Sequence, residues 1–150
     1  MKKLKNKNNL IITDIYPCSA KINKFIPLWE SSVSAGFPSS AENYIEKNLD
    51  LNEFLIKHPS STFFIKVIGN SMINAGVNSG DILIVDRSLS VVNNKIVVAR
   101  LDNEFIVKRI LLKNDKVILM ADNEEYEPIN ITQEMDFEIW GIVTAVIHQV

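Results

Sequence analysis

Two segments of the chain carry residue types that could do chemistry together. The first is Ile68-Gly69-Asn70-Ser71-Met72, at the end of an apolar, β-like run. Gly69 permits a tight turn, so Ser71 projects from it, at the start of a short helix, where two backbone N–H groups could face a developing oxyanion. The second is Phe105-Ile106-Val107-Lys108-Arg109-Ile110, which sets Lys108 among aliphatic residues. In a strand, Ile106, Lys108 and Ile110 share one face, apolar except for the lysine. Each segment alone has an ordinary reading. A serine near a glycine is a common turn residue, and a lysine on an apolar edge strand can reach water along its stem. Together they fit a hydrolase dyad. A serine hydroxyl is a poor nucleophile until a base takes its proton. A lysine is a base only when neutral, and at a pKa of ~10.4 roughly one in 2,500 is neutral at pH 7. Burial lowers that pKa toward the ~7–8 that suits a base, and Ser–Lys pairs are a recognised variant of the hydrolase triad.

The elements that must position these residues are mostly strands. Candidates are 62–68, 82–85, 95–100, 105–112, 117–120 and 137–148, all rich in Ile, Val and Phe. Asp102-Asn103 and Asn114-Asp115 read as hairpin turns. This pattern predicts a mostly β fold, compact antiparallel sheets forming a partly closed barrel. Short helices are expected nearer the N-terminus. Ser39 with Glu42 has capping-box spacing, followed by Tyr44, Ile45 and Leu49 at helical intervals. Asp50 with Glu53 repeats the signal before Leu51, Phe54 and Leu55, and Pro59 ends that helix. Residues 31–40, Ser-Ser-Val-Ser-Ala-Gly-Phe-Pro-Ser-Ser, read as a loop or linker.

Composition narrows the function classes. The 150 residues suit one domain that can bury a core without metal or disulfides. One cysteine, Cys18, excludes an internal disulfide framework and reads as a free thiol in a reducing compartment. With His58 and His148 far apart, neither a structural zinc site nor any other metal site is expected, and no cofactor. No segment approaches the ~20 apolar residues of a membrane span, and the apolar run Leu10-Ile11-Ile12 is too short for a signal peptide. The expectation is a cytoplasmic protein without a membrane partner. Net charge is −2, but residues 1–24 hold six lysines and one acid, a net of +5, so the remainder carries −7. That basic start reads as a solvated, partly disordered tail, with a nucleic-acid contact as the lesser alternative, so direct DNA binding is expected to be weak or absent. Trp29 and Trp140 read as packing residues, His58 as a surface residue, His148 as no triad member, and Asp81 and Asp86 as turn and hydrogen-bonding residues.

Residues 36–148 resemble the LexA-like Ser/Lys self-cleaving peptidases, and among them the UmuD-like mutagenesis proteins. Gly69-Asn70-Ser71-Met72 is similar to the nucleophile motif of that family. Gly80-Asp81-Ile82-Leu83-Ile84-Val85-Asp86 is similar to the strand motif that follows it, and Phe105-Ile106-Val107-Lys108-Arg109 to the segment carrying the general-base lysine. Ala35-Gly36-Phe37-Pro38-Ser39 is similar to the scissile region, and the run from Asp50 to Pro59 is close to the UmuD-like sequence. The spacing fits as well: 35 residues from Gly36 to Ser71 and 37 from Ser71 to Lys108.

The resemblance implies a catalytic Ser71–Lys108 dyad, an oxyanion site at the N–H groups of Ser71 and Met72, and cleavage between Ala35 and Gly36. It divides the chain into a flexible arm, 1–35, and a peptidase domain, 36–150. It also implies a homodimer, cleavage stimulated by a RecA–single-stranded-DNA filament, and a shortened product that serves a UmuC-like error-prone polymerase subunit in the SOS response. Two alternatives stand beside it. A LexA-type repressor would need a helix-turn-helix before the cleavage site, where Pro17 and Pro27 interrupt the chain. The other is a non-cleaving binding subunit. A signal peptidase shares the Ser/Lys chemistry but should carry a membrane anchor.

Overall fold

In the computed structural model, residues 10–18, 25–29 and 45–150 are described. The elements are β1 (Ile11–Pro17), β2 (Phe25–Trp29), β3 (Ile45–Asp50), α1 (Leu51–Leu55), β4 (Thr62–Ile68), β5 (Ile82–Asp86), β6 (Ile96–Leu101), β7 (Glu104–Lys113), β8 (Lys116–Met120), β9 (Ile129–Asn130) and β10 (Phe137–Ile147). Eight strands form one sheet in the order β1-β4-β5-β10-β6-β7-β8-β9, every pair antiparallel. β2 and β3 make a separate two-stranded pair. β1 also lies against β7, five places away in the strand order. A flat sheet could not bring those strands together, so the sheet curls into a half-barrel, the mostly β architecture the strand pattern predicts.

The curl has local causes. β10 pairs with β6 along its first half and with β5 along its second, and its register shifts at Ile139/Gly141 and again at Val143/Ala145. Such bulges bend a strand and sharpen its twist. At the first of them a side chain is excluded: a Cβ on Gly141 would lie 2.6 Å from Cγ1 of Val85. The two predicted hairpin turns form as expected. Asp102, Asn103, Asn114 and Asp115 all have φ between 48° and 66°, the left-handed region that two-residue hairpins need and that Asn and Asp tolerate.

The half-barrel buries apolar residues on both faces of β6 and β7. Val98 and Val107 pack with Ile65, Val67, Met72 and Leu83 in one cluster, while Val97, Ala99, Ile110 and Leu119 pack in a second. Strand side chains alternate, so strands buried on both faces read as the near-continuous aliphatic runs seen in the sequence.

Two expectations are corrected. The helix expected from the Ser39/Glu42 signal is, over its described part, strand β3, paired through its backbone with β2. Ile45 and Leu49 are four apart, a spacing that shares a face in a helix and in a strand alike, so pairing with β2 decided between them. The basic N-terminal stretch is not a solvated tail over its described part: residues 11–17 are a sheet strand. Its run Ile-Ile-Thr-Asp-Ile, β-branched at all positions but Asp14, was the available signal. The second predicted helix forms as α1, with the Asp50 carboxylate accepting from the N–H groups of Asn52 and Glu53. It stops at Leu55, and Pro59 opens a 3-10 turn leading into β4.

Candidate active site

β4 delivers the chain to Gly69, whose φ of 112° turns it sharply. Ser71 and Met72 follow, both fully buried, and a 3-10 turn runs from Ile73 to Ala75. The turn is closed by N–H groups of Ile73, Ala75 and Gly76 donating to the carbonyls of Asn70, Met72 and Ile73. The first N–H groups of such a turn have no partner within it, which is the position of Ser71 and Met72. Met72 anchors the turn in the core beside Val77 and Val107.

Lys108 lies mid-strand in β7, paired with Val97 and 3% exposed. Its face of the sheet is formed by Ala99, Ile106 and Ile110, as the alternation predicts. Burial lowers its pKa from 10.5 to about 8, because an ammonium loses its hydration there.

The segment after β8 ties the serine turn to the lysine strand. The Tyr126 hydroxyl donates to Oδ1 of Asn70 at 2.6 Å, and its ring lies 5.1 Å from Nζ of Lys108. One side chain therefore touches both the residue before Ser71 and the candidate base. Burial, and the Glu125 carboxylate beside it, raise the Tyr126 pKa, so the hydroxyl keeps its proton and stays a donor. Asn123 Nδ2 donates to the Asn70 carbonyl at 3.0 Å. The Asp122 N–H donates to Met72 Sδ, and its carbonyl accepts from the N–H of Asn74. Asp122 also takes a forked hydrogen bond from the guanidinium of Arg109, the residue after the lysine. Asn70, Tyr126, Asn123 and Asp122 were not singled out in the sequence. Asn70 belongs to the motif, but residues 122–126 lie in no predicted strand, turn or motif, and only folding shows that they bridge two distant segments.

Ser71 Oγ accepts a hydrogen bond of 3.0 Å from the backbone N–H of Leu10, across 61 residues of sequence. Leu10 is 2% exposed and packs in the same core cluster as Met72 and Val107. Ala35 and Gly36, the expected scissile residues, lie outside the described residues.

The residues given ordinary roles have them where they are described. Trp140 packs against Phe63 and Phe105 with Arg87 over its ring. Asp86 accepts from the N–H and hydroxyl of Ser88. Burial pushes its carboxyl up, but the hydrogen bonds from Ser88 and His58 outweigh that and hold it below the usual range. Asp81 accepts from the Asn78 N–H. Each acid also meets a histidine at 2.6 Å, Asp86 with His58 and Asp81 with His148. His58 is thus half-exposed yet paired, a partner its place beside Pro59 did not reveal. Cys18 is a free cysteine. Among the described residues no cluster of His, Cys, Asp and Glu could hold a metal ion, and no helix is long and apolar enough to cross a membrane.

Comparison with known proteins gives the same assignment as the motifs. The family described as Peptidase S24-like matches residues 27–144. The chain is 43% identical over 120 residues to Protein MucA of Salmonella typhimurium, covering 79% of this chain and 82% of that protein. It is 39% identical over 135 residues to Protein SamA of the same species, covering 90% and 94%. Against the LexA repressor of Pasteurella multocida it is 40% identical over 128 residues, covering 84% of this chain but 60% of the repressor. A buried serine turn, a buried strand lysine, the half-barrel that holds them and these relatives agree: the chain belongs to the Peptidase S24-like family, as a UmuD-like, LexA-related peptidase.

Proposed function

We propose that the protein is a self-cleaving serine peptidase of the SOS mutagenesis response, cutting its own chain between Ala35 and Gly36. The observation that carries the reading is Lys108, buried among aliphatic residues with a pKa of about 8 and joined through Tyr126 to the turn that holds Ser71. At that pKa about a tenth of the molecules hold a neutral lysine at pH 7, some two hundred times the fraction for an ordinary lysine. In the reaction Lys108 Nζ takes the proton of Ser71 Oγ, and Oγ attacks the carbonyl carbon of Ala35. The N–H groups of Ser71 and Met72 stabilise the oxyanion. Lys108 returns the proton to the amine of Gly36 as the C–N bond breaks. Water, deprotonated by the same lysine, hydrolyses the acyl-serine. The products are residues 1–35 and a 115-residue domain, 36–150.

The wider role rests on the relatives. Its similarity to MucA and SamA runs over 82% and 94% of their lengths, which supports a mutagenesis subunit. In this reading the protein is a cytoplasmic homodimer, a RecA–single-stranded-DNA filament speeds its cleavage, and the shortened dimer joins a UmuC-like polymerase subunit. The test is to incubate purified protein at pH 10, and at neutral pH with RecA, single-stranded DNA and nucleotide, and weigh the products intact. A break between Ala35 and Gly36 that vanishes in Ser71→Ala supports the peptidase. An intact chain under both conditions overturns it in favour of a non-cleaving binding subunit.

A further inference from the structure

The nucleophile in this structure already has a ligand, and it is a segment of the same chain. The Leu10 N–H donates to Ser71 Oγ. Its side chain fills an apolar hole formed with Ile65, Val67, Met72, Val77 and Val107. From there the chain runs on as β1 along the free edge of β4, Ile11 opposite Ile68 and Pro17 opposite Phe63.

This ligand is not poised to be cut. A peptide N–H lies in the plane of its peptide group, so an Oγ held by that N–H sits near the plane. Attack on a carbonyl carbon needs the nucleophile above the plane, with orbitals aligned. The hydrogen bond also engages a lone pair of the oxygen that must form the new bond.

β1 is held lightly. Six of its seven residues are exposed, and only Ile12 is partly buried against the core cluster. A groove of about 480 Å³ separates its outer side from Glu104, Phe105 and Ile106 of β7. The anchor is Leu10.

We infer that the hole beside Ser71 and the adjoining edge of β4 form a binding site for an extended peptide with an aliphatic anchor, and that residues 10–17 occupy it as a non-scissile ligand that restrains self-cleavage. Any segment to be cut must first displace Leu10 from Ser71. The inference rests on the peptidase reading above. It adds that the uncleaved arm is an inhibitor of the site as well as a part of the product released. Burying one aliphatic side chain is worth roughly ten- to a hundredfold in an equilibrium constant, which sets the size of the expected effect.

The test uses the full chain carrying Leu10→Asn, a neutral substitution that puts no new charge beside Ser71. Ile12→Asn serves as a second way to loosen β1, and Val92→Asn, at an exposed position away from β1 and Ser71, as the control. The rate of self-cleavage is followed at pH 8 without filament, with hydrogen exchange of the β1 and β4 amides measured in parallel. The expected result is cleavage about tenfold faster in Leu10→Asn, faster also in Ile12→Asn, unchanged in Val92→Asn, and with faster exchange along β1 in the Leu10 and Ile12 variants only. A residue that only stabilised the fold would leave the rate unchanged or lower it, and that outcome overturns the inference. If the unsubstituted chain self-cleaves neither at pH 10 nor with the filament, the peptidase reading fails, and exchange alone decides the binding site. Protected amides at residues 10–16 that Leu10→Asn releases sustain it. Unprotected amides there in the unsubstituted chain overturn it.

Discussion

On one face of β7, Lys108 is 3% exposed and burial lowers its pKa to about 8. On the other face Arg109 reaches the Asp122 carboxylate in a forked hydrogen bond, which raises its pKa further. The two cations are adjacent in sequence, and their pKa values move in opposite directions. What separates them is the partner each face supplies. Arg109 meets a carboxylate and the Asn94 carbonyl, so its charge is retained and fixes the loop at 122–126 in place. Lys108 lies among aliphatic side chains on the face of Ile106 and Ile110, under the ring of Tyr126. The π-face favours the ammonium and the lost hydration disfavours it, and hydration dominates the outcome. A group whose charge is held fast serves as scaffold, and one that can give up its proton near neutral pH can serve as base.

The contrast is broken most completely by putting an arginine at 108. A guanidinium stays charged at any accessible pH, so Lys108→Arg should slow self-cleavage about 10²–10⁴-fold, as should Lys108→Ala, and Ser71→Ala, which removes the nucleophile itself, should abolish it. Intact mass against time measures it. The next effect is the pH dependence of the unsubstituted chain. The neutral base grows tenfold per pH unit below the pKa, so the rate should climb steeply up to about pH 8 and level off above it. A rate flat between pH 6 and 8 would count against Lys108 as the base.

Stability should show the same desolvation. The folded state holds the lysine at about 8 against 10.5 unfolded. Between those values the unfolded chain binds more protons, so stability rises with pH through that window, and the penalty is fully present below pH 8. Lys108→Met should therefore stabilise the fold by about 3 kcal/mol at pH 7. The gain should shrink as pH rises toward 10.5, as urea melts at several pH values would show.

Smaller effects sharpen the other side of the comparison. Asp122→Asn weakens the partner of Arg109 and should cost about 1–3 kcal/mol. Cleavage should slow because the loop carries Tyr126 and the Met72 contact, while the pH midpoint stays put. Tyr126→Phe keeps the ring over Lys108 and removes only the hydroxyl from Asn70. It should cost about 1 kcal/mol and slow cleavage a few-fold at an unchanged midpoint. A moved midpoint would show that the hydroxyl, and not the ring, governs the lysine.

Much of this was legible in the residues. The strand 62–68 was read with its bounds as found, and the others within two residues, because runs of β-branched residues between Asn/Asp turns have few other solutions. The alternation around Lys108 correctly placed it on an apolar face. β3 was misread because its apolar residues lie four apart, where helix and strand coincide. β1 was obscured by the lysines around it, and its pairing partner, β4, begins 45 residues after it ends. Nothing local marked Leu10, Tyr126 or Asp122 as part of the site.

The sequence by itself determined the chemistry available: a serine on a turn, a lysine in an aliphatic strand, hairpins that fold β6, β7 and β8 onto one another, and the family. Those features depend on neighbours within a few residues, and steric and solvation preferences act at that range. The tertiary structure decided how dry the lysine becomes, which side chain couples it to the serine turn, and that Leu10 reaches Ser71 first. Each of these depends on which distant segments the curled sheet brings together. Desolvation is a property of everything packed around a group, and no stretch of sequence holds that on its own.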